Sequence, residues 1–344
     1  MPRQRAAAPA YPRGARRRGA EAPAALLRAL DEQPSAQLLR EALAHTHYRV
    51  LARAAEAAGD SLHYALEPAL MDAFRRLAAL DHKADPGCLA KGALARALVA
   101  LDCLDADCFR SGLRLRQPEP VWGGQVDTAA DVRASCAMGL AASGAAGALR
   151  DLVDLLADPE HRARSGAVRA IGCTEPGAAE AVLRTKALLG DPEAEVIDEC
   201  FRTLLALAPD TAPPFVARWL DDPAGADPAL AELAALALGE SKLDAAVALL
   251  RARWEAEPLR GRRPQVLLRA AALARTPAAL DWLLGLAADA ERTTVRQVIA
   301  ELSVHRGQRR LRSALHECLL ARGDAGLLED YAAQFAPAAG KPEA

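Results

Sequence analysis

Three near-identical hexamers recur along the chain: "LLADPE" at Leu155–Glu160, "LLGDPE" at Leu188–Glu193 and "WLDDPA" at Trp219–Ala224, at steps of 33 and 31 residues. A repeat of that length accommodates two antiparallel helices and two turns, and one such unit cannot bury its apolar faces alone. Asp-Pro after a leucine pair is expected to close one helix and open the next. The Asp caps the free amide hydrogens of the following helix, while the Pro fits its first turn and cannot continue the preceding one. The hexamers are therefore read as the turns inside successive helical hairpins.

Downstream of each turn runs one ten-residue pattern. It reads "VLARAAEAAG" from Val50, "VRASCAMGLA" from Val132, "ARSGAVRAIG" from Ala163, "VIDECFRTLL" from Val196 and "LAELAALALG" from Leu230. Positions one, five, eight and nine are apolar or small, which is one face of a helix. The pattern predicts burial of Val132, Cys136, Ala167, Ile171, Cys200, Leu204, Ala234 and Leu238. Position ten is glycine at Gly59, Gly172 and Gly239, where a left-handed terminating residue is expected. Weaker copies begin near Ala90, Gln265 and Val295, so the steps run from 30 to 42 residues. Abundant Ala and Leu with only 4% aromatics suit closely packed helices. The expected fold class is all-α: an α-solenoid, or superhelix, of about eight stacked antiparallel helix pairs over residues 25–335. An Arg/Ala/Pro-rich arm (1–24) and a tail (336–344) are expected to be disordered.

Asp158-Pro159, Val132-Arg133, Ala163-Arg164 and the small-residue helices ending at Gly59, Gly172 and Gly239 resemble HEAT repeats, in the short bacterial form called PBS-lyase-like. The resemblance implies a polar ladder in which an Asp and an Arg recur in each unit. Arg133 and Arg164 stand at the Arg position, but Ile197 and Ala231 replace it further on, so the ladder is expected to break there. The signatures of tetratricopeptide and ankyrin arrays of similar period are not found.

One unit departs from the period. An irregular loop is expected over 103–130, where "EPVWGG" cannot continue a helix. A tryptophan in a Gly-Pro loop is costly to leave in water, so Trp122 is expected to plug the apolar seam between repeats. The other reading makes the loop, with Phe109 and Trp122, a contact site on a rigid scaffold.

Charge is unevenly distributed. Residues 1–20 carry six Arg and no acid, residues 21–250 carry 22 basic and 34 acidic side chains, and residues 251–312 carry 13 basic and 6 acidic. Arg260, Arg262 and Arg263, with Arg309, Arg310 and Arg312, are either a solvated rim or a stripe attractive to phosphate or to acidic protein.

Residues that would carry a reaction are not grouped. His45, His47, His63 and His82 follow no metal-ligand spacing, and His316-Glu317 is the lone His-Glu pair. No phosphate loop, nucleophile elbow or dinucleotide fingerprint occurs. Seven cysteines without a C-x-x-C pair read as reduced thiols of a cytoplasmic protein. No apolar run reaches bilayer-spanning length, so no membrane partner is expected. The expectation is a non-catalytic scaffold or adaptor, without catalytic, metal or cofactor residues, binding a protein partner. The alternative is a nucleic-acid-associated protein using the basic C-terminal repeats. A third reading, implied by the resemblance, is an accessory enzyme of the bilin-lyase type.

Overall fold

The computed structural model describes residues 22–32, 34–221, 228–256 and 265–335. The arm up to residue 21, the tail from 336, the second half of the third hexamer (222–224), and Arg260, Arg262 and Arg263 lie outside the described residues. The described elements are helical apart from one short hairpin, and they divide into two compact units, residues 1–174 and 175–344.

In the first unit the order is α1 (Ala22–Asp31), α2 (Ala36–Leu43), α3 (Tyr48–Asp60), α4 (Glu67–Ala78), α5 (Leu89–Ala100), α6 (Ala106–Leu113), β1 (Pro118–Val121), β2 (Gly124–Asp127), α7 (Ala130–Ala142), α8 (Ala148–Leu155) and α9 (His161–Ile171). Helix α3 packs on α5, α5 on α7 and α7 on α9, while α2, α4, α6 and α8 each lie against the helix that follows them. Helix α1 starts inside the segment expected to be disordered. Pro23 near its start suits a first helical turn, and Leu30 near its end is buried.

In the second unit the order is α10 (Pro176–Leu189), α11 (Ala194–Leu207), α12 (Ala212–Val216), α13 (Pro228–Glu240), α14 (Asp244–Ala256), α15 (Gln265–Ala274), α16 (Pro277–Asp289), α17 (Arg292–Leu302), α18 (Arg309–Arg322) and α19 (Ala325–Phe335). The same alternation holds: α11 packs on α13, α13 on α15, α15 on α17 and α17 on α19, with α12, α14, α16 and α18 in succession beside them.

All eight residues that the pattern assigns to the buried face are buried, from Val132 to Leu238. Two other expectations are corrected. Asp158 and Asp191 do not sit at the N-cap, which falls at Glu160 and Glu193. Each carboxylate instead accepts the amide hydrogen two residues on, at 2.9 Å, and so closes the turn before the helix starts. Nor do the glycines terminate helices in a left-handed conformation. Gly59 and Gly239 lie within α3 and α13, and Gly172 has φ −60°. Close approach explains two of them. A methyl on Gly59 would stand 3.2 Å from the Ala97 Cα, and one on Gly239 only 2.2 Å from the Ala270 carbonyl oxygen. Small residues there let neighbouring helices touch along their backbones.

The 103–130 segment is more ordered than expected. It contains α6 and a two-stranded antiparallel hairpin, in which Pro118 faces Asp127 and Val121 faces Gly124. Trp122 and Gly123 form the turn, and Gly123 supplies the positive φ (+89°) that such tight turns need.

Candidate functional site

The polar ladder starts from a recurrent spacing. Asp85, Asp127 and Asp158 each precede a basic residue by six positions: Lys91, Arg133 and Arg164. These six side chains belong to residues that are buried or nearly so, at the joins between repeats of the first unit. Ions removed from water are tolerated only when paired and hydrogen-bonded. Arg133, wholly buried, meets that condition twice over. Its Nη1 donates to Asp127 Oδ2 at 2.7 Å and to the Leu115 carbonyl at 2.8 Å, and its Nη2 donates to Asp158 Oδ1 at 2.9 Å. One guanidinium therefore joins the carboxylate of its own repeat to that of the next. Arg116 adds a second cation on Asp158 Oδ2 at 2.8 Å. Arg164 donates to the carbonyls of Asp158 and Pro159. In the second unit Ile197 takes the cation's place, and Asp191 pairs with Lys186 instead, at 2.7 Å.

Lys91 was not singled out in the sequence, although it holds the second position of the copy that begins at Ala90, as Arg133 and Arg164 hold it in theirs. Its rung is built differently. Asp85 turns its carboxylate to the amide hydrogens of Ala90 and Lys91, both at 2.9 Å. The Lys91 ammonium donates to the Leu80 carbonyl at 3.3 Å and to Gln117 Oε1. The Gln117 amide nitrogen then donates to the Asp85 carbonyl and to Glu119, both at 2.8 Å. Glu119 also accepts from the Gly87 amide and the Thr128 hydroxyl, at 2.7 Å each, which ties the base of the hairpin to the helices beneath it. Burial works against ionisation of Glu119. The hydrogen bonds from Gln117, Thr128 and Gly87, with nearby His82, outweigh it and hold the carboxyl below its ordinary range. Asp127 is alike. Burial opposes its charge, but the amides of Gln117 and Ala129 and the Arg133 guanidinium together hold it low. Beside this rung lies a cavity of about 220 Å³, with Lys91, Gln117, Cys88, His82 and Arg116 among apolar walls of Leu80, Leu115 and Pro118. Burial pushes the Cys88 thiol above its usual range.

At the other end of the hairpin Trp122 is fully exposed, with Val121 and Val126 half exposed beside it. The expectation that Trp122 plugs the apolar seam is overturned. The register places it at the turn, away from the strand ends that Glu119 and Thr128 anchor. Phe109 fills the packed interior instead. It lies in α6, only 1% exposed, and its ring would stand 2.3 Å from a methyl group on Gly139 of α7. Phe109 is therefore a core residue and presents no contact surface.

Of the basic residues singled out, Arg309, Arg310 and Arg312 fall in the first turn of α18, the first two exposed and the third half-buried. Arg306 is exposed just before them. Arg292 and Arg296 pair with Asp324 and Asp330 at 3.3 and 2.7 Å. Among the described residues no carboxylate pairs with Arg306, Arg309, Arg310 or Arg312. Positive charge at a helix N-terminus opposes the helix dipole, so this cluster costs local stability.

Among the described residues no three His, Cys, Asp or Glu side chains are grouped to hold a metal ion. His45 and His47 lie in the turn before α3, where His45 Nδ1 accepts the His47 amide at 2.9 Å. No helix of the described residues is long and apolar enough to cross a membrane. No family model matches the sequence, and no curated protein matches it. Among solved structures, the chain is similar to a crystallised engineered protein at 16% identity, over 91% of this chain and 89% of that one. The TM-score of 0.35 is too low for that likeness to bear on fold or function.

Proposed function

We propose that the protein is a non-catalytic, cytoplasmic scaffold, a HEAT-type α-solenoid that holds a protein partner through the β1–β2 hairpin. The succession α3–α5–α7–α9 in one unit, and α11–α13–α15–α17–α19 in the other, supports the solenoid reading. Seven unpaired cysteines accord with a reducing compartment. One observation carries the scaffold reading: the indole of Trp122 stands wholly in water on a hairpin whose base is locked by Glu119 and Thr128. Tryptophan is the residue most enriched where binding energy concentrates. A tip held on an ordered base also loses little freedom on binding. A photo-crosslinking amino acid at position 122, compared in cells with one at exposed Asp60, tests the reading. A discrete adduct specific to position 122, lost when free wild-type protein competes, is expected. Equal labelling from both positions would refute it.

A second reading has its own observation. Four arginines around the start of α18 are held at a local cost and have no carboxylate among the described residues. They suit an anionic partner such as nucleic acid, whose binding weakens steeply with salt.

A further inference from the structure

Two rungs of the same ladder differ in one respect. At Arg133 the buried cation meets two carboxylates, its own repeat's Asp127 and the next repeat's Asp158. At Lys91 the residue is just as buried, yet the ammonium forms no ion pair among the described residues. Asp85 has turned to backbone amides, and the neutral Gln117 occupies the place of the next repeat's carboxylate. Asp127, which would supply that charge, accepts from the Gln117 and Ala129 amides and from Arg133. An ammonium has three donor hydrogens, and the described residues take only two of them. A buried charge without its counter-charge is costly, and the cavity of about 220 Å³ opens beside this one.

We propose that this cavity binds a small organic monocarboxylate, whose carboxylate stands against Lys91 as Asp158 stands against Arg133. The walls set the rest of the ligand. Ala78, Leu80, Leu115, Pro118 and Ala129 offer apolar surface to a short carbon chain. Arg116 on the lining is already matched by Asp158 at 2.8 Å, while Asp81 beside it and Glu119, one hydrogen bond away on the Gln117 amide, disfavour a second negative charge. At about 30 Å³ per water-sized group, the space suits roughly seven or eight non-hydrogen atoms. The carboxylate can come from a free metabolite or from the C-terminus of a peptide. The proposal stands independently of the scaffold reading.

Calorimetry on the full chain tests it, with acetate, butyrate, hexanoate and inorganic phosphate as ligands. A short apolar peptide with a free C-terminus, and its amidated form, complete the set. Butyrate and hexanoate are expected to bind more tightly than acetate, and phosphate not at all. Lys91→Met should weaken binding at least about tenfold, the loss of one charge-assisted hydrogen bond. Gln117→Glu places a carboxylate beside Lys91 from within and should weaken binding as much, while the lost amide donor to Glu119 and to the Asp85 carbonyl should lower the melting temperature. If Lys91→Met fails to fold, Gln117→Glu decides alone. A free-acid peptide that outbinds hexanoate while its amide does not bind identifies a chain terminus as the source. The reverse order identifies a free metabolite. Absence of carboxylate binding by the wild type, binding of phosphate alone, or unchanged binding in Gln117→Glu would each overturn the proposal.

Discussion

Removing the Arg133 guanidinium would leave the half-exposed Arg116, at 3.9 and 2.8 Å, as the counter-charge for both Asp127 and Asp158. Breaking a buried pair in this way costs more than the pair contributes, because two carboxylates then share one cation. Arg133→Met is expected to lower unfolding free energy by up to about 3 kcal/mol, read from the urea midpoint. Asp127 adds a pH dependence. Its folded carboxyl titrates below its unfolded value, so its contribution is complete above the unfolded value, about 3.9, and is lost as pH falls through the folded one. Urea midpoints between pH 7 and 3 should therefore decline for the wild type at the acid end. They should start lower and decline less steeply for Asp127→Asn. The thiols divide in the same residue-by-residue manner. Burial pushes Cys103 and Cys108 up to about 11 and Cys200 up to about 12, whereas Cys173 is exposed. A thiol reagent at pH 8 should modify Cys173 first and half-buried Cys318 more slowly. The other five should react only on unfolding, as peptide mapping of the labelled chain will check. Neither the ladder nor these differences could be read completely beforehand. The second position of the pattern exposed Arg133 and Arg164. Lys91 escaped because its copy of the pattern is weak, and because Gln117 reaches it from outside the repeat.

At the scale of elements, the helix period was legible because burial follows geometry. A residue every third or fourth position faces the neighbouring helix, and Cys136, Ile171, Cys200 and Leu238 do so. The glycines were misread because a sequence shows that a side chain is small without showing which neighbour requires it. Two substitutions separate the causes. Gly239→Ala improves helix propensity by about 1 kcal/mol. Its methyl, however, meets the backbone oxygen, carbon and Cα of Ala270 at 2.2 to 2.8 Å, none of which can rotate away. Prising α13 from α15 costs about 1–3 kcal/mol, so a net loss of stability is expected. Gly285→Ala in α16 meets nothing within 4 Å and should gain up to about 1 kcal/mol. Thermal melts of the two variants should move in opposite directions. The hairpin was illegible for a different reason. Pro118, Pro120 and the glycine pair announce an interruption of helix, but the anchor on Glu119 is made in part by the Gly87 amide, 32 residues away in sequence.

Across the whole chain, the basic surplus of residues 251–312 narrows to a smaller patch, since Arg269, Arg292 and Arg296 are matched by Glu301, Asp324 and Asp330. Replacing Arg309, Arg310 and Arg312 by Ala should leave the circular dichroism unchanged. It should also flatten the salt dependence of any retention on heparin, by roughly one unit of slope for each anionic group left without its arginine. Equal elution of variant and wild type would mark the cluster as a solvated rim. The alternating helix packing has a kinetic consequence as well. Each helix finds its main partners within two helices along the chain, so every interface can close after a short loop search. Topologies so rich in local contacts fold quickly.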